Sequence, residues 1–157
     1  MPHGNGNTNE NPWRLHSAFS IPGQPVGKGR PRFSKAGRFV RVRTPERTKN
    51  FEKRVATFST APKIPAGIPI RTEFRFVFKR PKRLKRQKDA DGLILHTKKP
   101  DGDNVEKAVN DGLCGVLFDD DSQIQQGCWS KWYGEKTATD GRVDVRVYVY
   151  EPTGTKV

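Results

Sequence analysis

Two groups of aspartates are the residues of this sequence best suited to chemistry. Asp101 and Asp103 lie one residue apart, and Asp119, Asp120 and Asp121 follow as a consecutive run. Seven of the 17 acidic residues fall between Asp101 and Asp121, although the formal net charge of the chain is +13. Carboxylate oxygens suit Mg²⁺ or Mn²⁺, with waters and a substrate phosphate completing the coordination. An acidic segment in a basic chain therefore predicts a divalent-metal site beside a bound polyanion, as in nucleases.

The spacing of the first pair allows two interpretations. In an extended segment, residues i and i+2 point to the same side, so Asp101 and Asp103 are expected to face one ion. The residues after Asp103 have helical spacing, which also predicts Asp103 as an N-cap with Glu106 as its capping-box partner. Such a cap is worth about 1 kcal/mol. Capping does not explain Asp101 or the later run.

The three consecutive aspartates are separated from the first pair by a predicted helix of roughly ten residues, which allows them to return near its start. Like charges repel, so a solvated loop is the alternative environment for the run. Because the run occurs together with Asp101 and Asp103, we favour the metal-site interpretation over a solvated loop. An EF-hand is excluded because Val105 and Gly112 occupy the fifth and twelfth positions counted from Asp101.

Lys107 lies four residues after Asp103, on the same face of the predicted helix. A metal ion at this place would polarise a phosphate and lower the pKa of an attacking water. Lys107 would then neutralise charge that develops on the phosphate, or position the water. The alternative is an i,i+4 ion pair with Asp111, worth about 0.3 kcal/mol. The nearby His96 is predicted to be a strand residue without a role in the site.

The positive charge is concentrated in one half of the chain, because 23 of the 30 Lys and Arg residues lie between Lys28 and Lys99. Such a surface attracts nucleic acid through its phosphates. A loop or hairpin arm at 24–43 and a loop at 79–92 each carry seven cations. A solvated loop, a ribosome-type surface and an anionic membrane are alternatives. The candidate DNA-binding residues are Lys28, Arg30, Arg32, Lys82, Arg83, Lys85 and Arg86.

The periodicity predicts an α+β domain with a mixed sheet and two main helices. Thr44 and Pro45 favour a helix start, with Phe51, Val55 and Phe58 on its buried face. The two last strands are predicted to form a hairpin through a turn at Thr137–Gly141. The predicted strands cover 17–21, 70–78, 92–97, 123–136 and 141–151, and the helices begin at Glu46 and just after Asp103.

Length and composition predict one domain of residues 17–152, a flexible N-terminal tail at 1–16 and a short C-terminal tail at 153–157. No apolar run is long enough for a transmembrane helix, and the N-terminus lacks a secretory signal pattern. A cytoplasmic location is therefore predicted. Cys114 and Cys128 have no zinc-site spacing and are predicted to be free thiols in a reducing compartment.

The segments PDGDNVEKAVNDGL and FDDDSQI resemble the RusA family of Holliday junction resolvases, and a weaker likeness lies in IPGQPVGKGRPRF and TPERTKNFEKRV. The resemblance covers roughly residues 18 to 150. It implies a RusA-like fold and a homodimer that binds four-way DNA junctions. It also implies paired nicks in opposing strands with Mg²⁺ or Mn²⁺, in DNA recombination and repair. Because members are frequent in phages and prophages, such an origin is expected.

The resemblance also assigns roles to residues. It places the metal-binding carboxylates at Asp101, Asp103 and Asp121 and the essential lysine at Lys107, and these four form the candidate catalytic set. Asp120 matches the acid before the third ligand and joins the candidate metal set. The extra Asp119 departs from the family pattern, but the Ser122-Gln123 pair favours Asp121 as the ligand. Gly102 replaces the bulky apolar residue of the family pattern between the first two acids, which predicts a looser backbone in this motif. A non-catalytic nucleic-acid-binding module, or a nuclease for another branched or flap substrate, remains an alternative.

Overall fold

A five-stranded mixed sheet with two helices packed on one face forms the domain in the computed structural model, which describes residues 11–152. The strands are β1 Trp13–Pro22, β2 Arg32–Ala36, β3 Phe39–Arg43, β4 Ile70–Phe78, β5 Ile94–Leu95, β6 Ile124–Tyr133 and β7 Arg142–Tyr150; the helices are α1 Glu46–Phe58 and α2 Gly102–Leu113. The main sheet has the order β1-β7-β4-β6-β5, and β2 and β3 form a separate two-stranded sheet. The predicted α+β class with a mixed sheet and two helices is confirmed.

The sheet buries one face because its strands alternate apolar and polar residues. Phe74, Phe76 and Phe78 of β4 are at most 4% exposed. The valines of β7 at every second position face the same core, as the period of two predicts. The core valines of β7 are Val143, Val145, Val147 and Val149.

The two helices pack on each other and cover this face of the sheet. Phe51 and Val55 of α1 are buried as predicted, whereas Phe58, its last residue, is 40% exposed. Thr44 does not cap α1: the N-cap residue is Pro45, which has no side-chain donor or acceptor to offer. The helices have 13 and 12 residues, and no helix in the described range is long and apolar enough to cross a membrane.

The predicted hairpin of the last two strands is wrong, because β4 lies between β6 and β7. β4 pairs in parallel with β6 and antiparallel with β7. Skipping one strand requires a connection of about 10 Å, twice the spacing between neighbouring strands. The segment 134–141 between β6 and β7 is long enough for this step. Alternation of apolar residues shows that a strand has a buried face, but it does not show which strand is its neighbour.

Strand β1 begins four residues before the predicted position. Trp13 pairs with Tyr150 of β7, so residues 13–16, predicted as tail, belong to the sheet. The predicted strand at 92–97 is reduced to Ile94–Leu95. The remaining predicted tail segments, 1–10 and 153–157, lie outside the described residues.

The basic loop between β4 and β5 is organised around a cation that the sequence suggested was solvated. Arg80 is only 1% exposed. Its guanidinium donates hydrogen bonds to backbone carbonyls at both ends of the loop and next to β6. These acceptors are the carbonyl oxygens of Leu84, Ala90, Gly92 and Gly134. The loop therefore has a fixed interior, and its other cations lie around it.

Candidate metal and nucleic-acid site

Helix α2 begins at Gly102, two residues earlier than predicted, and this separates the first two aspartates. Asp101 is its N-cap in extended conformation, and Asp103 lies in the first turn. The amide of Val105 donates to the Asp101 carbonyl at 3.2 Å. The prediction of Asp103 as N-cap is therefore wrong, and neither carboxylate at this end caps the helix. Since Gly102 is already helical, the i,i+2 alternation of an extended segment does not apply, and Asp101 and Asp103 line different cavities.

One cavity is lined by three of the four predicted catalytic residues, which come from both motifs. Asp103 and Lys107 of α2 line it together with Asp121, which comes from the turn before β6. We call this space, of about 240 Å³, the acidic cavity. The return of the aspartate run to the start of the helix, predicted from the spacing, is thus present for Asp121. The remaining lining residues are Glu106, Asn110, Asp111 and Ile124.

The buried side chain of Gln123 anchors the turn that carries Asp121. Its Nε2 donates to the carbonyls of Pro65 at 2.9 Å and Ile68 at 3.0 Å, in the connection between α1 and β4. Its Oε1 accepts from the amides of Asp119 and Asp120. The sequence motif alone assigned no role to Gln123. A polar residue that is 6% exposed and fully hydrogen-bonded is a positioning residue for the aspartates before it.

The other two aspartates of the run have local partners. The Asp120 carboxylate accepts from the Ser122 amide at 2.8 Å and caps the short 3₁₀ turn Asp121–Gln123. Hydrogen bonding from Ser122 holds the pKa of Asp120 below its ordinary value. Asp119 forms an ion pair with Lys63. Both residues line another cavity, next to Gly67, and not the acidic cavity. Asp120, predicted in the metal set, is therefore placed away from Asp103.

Asp101 faces a larger space on the other side of the α2 N-terminus. This loop cavity, of about 610 Å³, is lined by the 24–29 loop, the start of α1 and Asn104. Lys99 donates to the Asp101 carboxylate at 2.6 Å, and this hydrogen bond holds the pKa of Asp101 below its ordinary value. The lining includes four cations, Lys28, Arg47, Lys79 and Lys99. Asp101 thus lies in a mainly positive environment, suited to a phosphate backbone.

Glu106 is a residue of the acidic cavity that the sequence suggested only as a capping partner. Burial, and then the charge of Asp103, raise the pKa of Glu106, while a hydrogen bond from Trp129 opposes the shift. Burial disfavours the charged carboxylate first, and the nearby negative charge of Asp103 adds to this effect. A cation bound there would relieve this repulsion. The available sequence signal was its position one turn after Asp103.

The predicted set of three carboxylates is not assembled around one point. Within residues 11–152, no three acidic, histidine or cysteine side chains come close enough to hold one ion. Mg²⁺ is usually held by only one or two carboxylates, with waters and a substrate phosphate. Asp103 and Asp121 supply two carboxylates, and the buried Oδ1 of Asn110 in the same lining accepts no hydrogen bond from the described protein. This set of hard oxygen donors fits a magnesium ion.

Lys28, and not Lys107, forms the ion pair with Asp111. The alternative pair of Lys107 with Asp111 is not formed, since Asp111 pairs with Lys28. Lys28 also bonds Glu52 at 3.0 Å and so ties the 24–29 loop to both helices. Burial would lower the pKa of Lys28, but hydrogen bonds to Asp111 and Glu52 raise it. The placement of Lys28 therefore favours a structural role over its predicted DNA contact, whereas the exposed Lys107 has no ion pair in the described range.

The other predicted DNA-binding residues lie in two exposed segments. Arg30 and Arg32 are exposed at the base of the β2–β3 hairpin. Lys82 and Arg83 are exposed in a 3₁₀ turn of the loop that Arg80 organises. In the same loop Lys85 is half-buried and Arg86 forms an ion pair with Asp89 at 3.2 Å. The structure thus presents most of the predicted cations to solvent in two segments distant in sequence.

Gly102 is required by close packing at the start of α2. A Cβ at this residue would overlap the indole ring of Trp129. That ring also stacks on Phe76, with centroids 6.4 Å apart. The bulky residue expected between the two aspartates is thus replaced by a side chain from the neighbouring strand. The sequence suggested a loosened backbone here, whereas the structure shows a filled position.

Gly102→Ala is expected to lower the free energy of unfolding by about 2 kcal/mol, because the added methyl group forces the Trp129 ring or the helix start to move. Urea denaturation would measure the change. Gly92→Ala is the matched control, since a Cβ there meets no atom within 4 Å. Equal stability of the two variants would contradict the packing argument.

Comparison with known proteins gives two matches. The family model for endodeoxyribonuclease RusA matches residues 22–148. The uncharacterized protein YqaN of Bacillus subtilis (strain 168) is 33% identical over 136 residues, which cover 82% of this chain and 93% of that protein. The family match includes both aspartate motifs, the β2–β3 hairpin and both helices.

Proposed function

Because the chain belongs to the RusA endodeoxyribonuclease family, we propose that it is a metal-dependent enzyme that resolves four-way DNA junctions by paired nicks in opposing strands. The observation that best supports this proposal is the meeting of Asp103, Asp121 and Lys107 in one cavity. Two motifs distant in sequence supply these residues, which is the arrangement needed for one reaction centre. The cationic surface supplies the attraction for the polyanionic substrate.

The residues of the acidic cavity have separate roles in the proposed reaction. Asp103 and Asp121, with the Asn110 amide oxygen, would hold Mg²⁺, with Mn²⁺ as a substitute. When bound, the metal supplies Lewis-acid activation of the phosphate and of a water. Lys107 places its ammonium beside the same cavity, where it neutralises charge that develops on the phosphate oxygens. Asp101 would complete the acidic set from the side of the loop cavity.

Paired nicks require two reaction centres. One chain carries one acidic cavity among its described residues, so we propose a homodimer with twofold symmetry. The approximate twofold symmetry of a four-way junction would then place one cavity at each of two opposing strands. Recombination and repair are the processes in which such an activity acts.

The decisive experiment is incubation with an end-labelled four-way junction and Mg²⁺. Linear duplex of the same sequence and a flapped duplex are the controls. Symmetric nicks in the junction, with intact duplex, are expected. If the flapped duplex is cut in preference to the junction, the chain is still a nuclease, but its substrate is a flap and not a four-way junction. If neither Mg²⁺ nor Mn²⁺ yields nicks in any branched DNA, the chain is a non-catalytic nucleic-acid-binding module.

A further inference from the structure

The β2–β3 hairpin stands apart from the main sheet. We call its residues 32–43 the arm. Every residue of the arm is exposed, and its two strands pair only with each other. The turn at its tip places Gly37 at a φ of +64°, which suits the first position of a tight hairpin turn. Strands of five residues reach about 17 Å, and both strands are exposed along their whole length.

The register of the arm divides its side chains between two faces. Arg32 pairs with Arg43 and Ser34 with Arg41, so these residues share one face, and Phe39 lies on it near the tip. The other face carries Phe33, Lys35, Val40 and Val42. Phe33 is 71% exposed and Phe39 is 78% exposed. Each face of the ribbon therefore presents an aromatic ring together with positive charge.

The charge of the arm indicates its partner. Residues 32–43 contain five cations and no acid. Contact between the arms of two copies of this chain would bring like charges together, whereas DNA offers phosphates to the same side chains. If DNA bound to only one face of the ribbon, a ring on that face alone would be sufficient. A ribbon with rings on both faces is suited to a place where DNA lies on both sides of it.

The aromatic rings restrict the form of that DNA. In an intact duplex the faces of the bases are covered by stacking, and the grooves offer only base edges. Rings stack on base faces where pairing or stacking is interrupted, as in single strands and at kinked steps. The centre of a branched DNA offers such faces between separate duplex arms. Phe33 and Phe39 are therefore of little use on linear duplex.

We propose that the arm enters the branch region of branched DNA, where Phe33 and Phe39 stack on bases exposed at the exchange point and the arginines bind the flanking phosphates. This inference rests on the proposed function and adds the device by which branched substrates are distinguished from duplex. It separates two tasks. The cations supply affinity for any DNA, and the two rings supply preference for the branch.

Binding in EDTA tests the arm without cleavage. The full chain and the variant Phe33→Ser/Phe39→Ser are titrated with a labelled four-way junction and with linear duplex of equal length. The variant is expected to lose about 10-fold or more in junction affinity, since stacking on each base is worth that much, and to keep its duplex affinity. Arg41→Gln/Arg43→Gln is expected to weaken both complexes and to reduce the slope of log K against log salt by about 2.

A junction with 2-aminopurine at the branch point gives a direct readout. Its fluorescence is expected to change on binding the wild-type chain and not on binding the phenylalanine variant. Equal loss of junction and duplex affinity, or no loss, would overturn the proposal. A difference in sedimentation between the free wild-type chain and the free phenylalanine variant would show that the two rings contact a second copy of the chain, and would also overturn the proposal. The nuclease proposal is tested apart from this, because it fails only when Mg²⁺ yields no nicks.

Discussion

Asp121→Asn is expected to slow junction nicking by about 100-fold or more in saturating Mg²⁺. The amide keeps the shape of the side chain but removes the charge that balances the cation in the acidic cavity. Junction affinity in EDTA is expected to stay the same or to rise, because less negative charge faces the phosphates. Single-turnover cleavage of a labelled junction measures the rate, and fluorescence anisotropy measures the affinity.

The neighbouring aspartate provides a matched control. Asp119→Asn changes the same residue type two positions earlier, but its carboxylate pairs with Lys63 and is largely exposed. The variant is expected to cut within a few fold of the wild-type rate, since exposed ion pairs contribute about 0–1 kcal/mol. Wild-type cleavage by Asp121→Asn would show that the acidic cavity is not the reaction centre.

Asp101→Asn extends the same test to the loop cavity. A loss equal to that of Asp121→Asn is the expected result from the family pattern. It would mean that Asp101 acts with Asp103 and Asp121 once DNA is bound. A rate near that of wild type would restrict the metal set to Asp103 and Asp121, as the separate cavities of the free chain suggest.

The elements that the sequence predicted well are those that one strong local pattern determines. The alternation in β4 and β7 and the apolar face of α2 required no knowledge of neighbours. The length of the helix allowed Asp121 to return near Asp103 but did not require it. The predicted strand order was wrong because the neighbour of a strand depends on contacts between residues distant in sequence. In the structure β4 lies between β6 and β7.

The choice among the three aspartates could not be made from residue type. Asp119, Asp120 and Asp121 are chemically the same, and only their partners, Lys63, Ser122 and the acidic cavity, separate them. The N-cap of α2 lies two residues before its predicted position for a similar reason. An aspartate can cap a helix equally well at 101 or 103 by sequence, and the packing of Trp129 over Gly102 is a contact distant in sequence.

The contacts of individual cations could not be predicted either, because the lysines and arginines of a basic run cannot be distinguished from one another by sequence. Lys28 binds two carboxylates on the helices, and Arg80 binds four carbonyls inside its loop. Neither partner set is visible from neighbouring residues. Charge counts therefore predicted the kind of surface correctly but not which cations form it.

Arg80→Met is expected to lower the free energy of unfolding by about 3 kcal/mol, because backbone carbonyls around a buried side chain lose a charged donor. Urea denaturation measures this loss. Arg83→Met is the matched control: Arg83 is exposed in the same loop, so its replacement should leave stability within about 0.5 kcal/mol. Equal stability of both variants would contradict the structural role of Arg80.

The same substitution separates the order of the loop from its charge. Without Arg80, the cations from Lys82 to Lys88 lose the framework that holds them, and trypsin is expected to cut in this segment several-fold faster in the folded variant. Arg83→Met removes equal charge without loosening the loop, so trypsin should cut the remaining sites at the wild-type rate. If DNA affinity falls more in Arg80→Met than in Arg83→Met, the fixed arrangement of the cations contributes to binding. Equal losses would mean that only the number of charges matters.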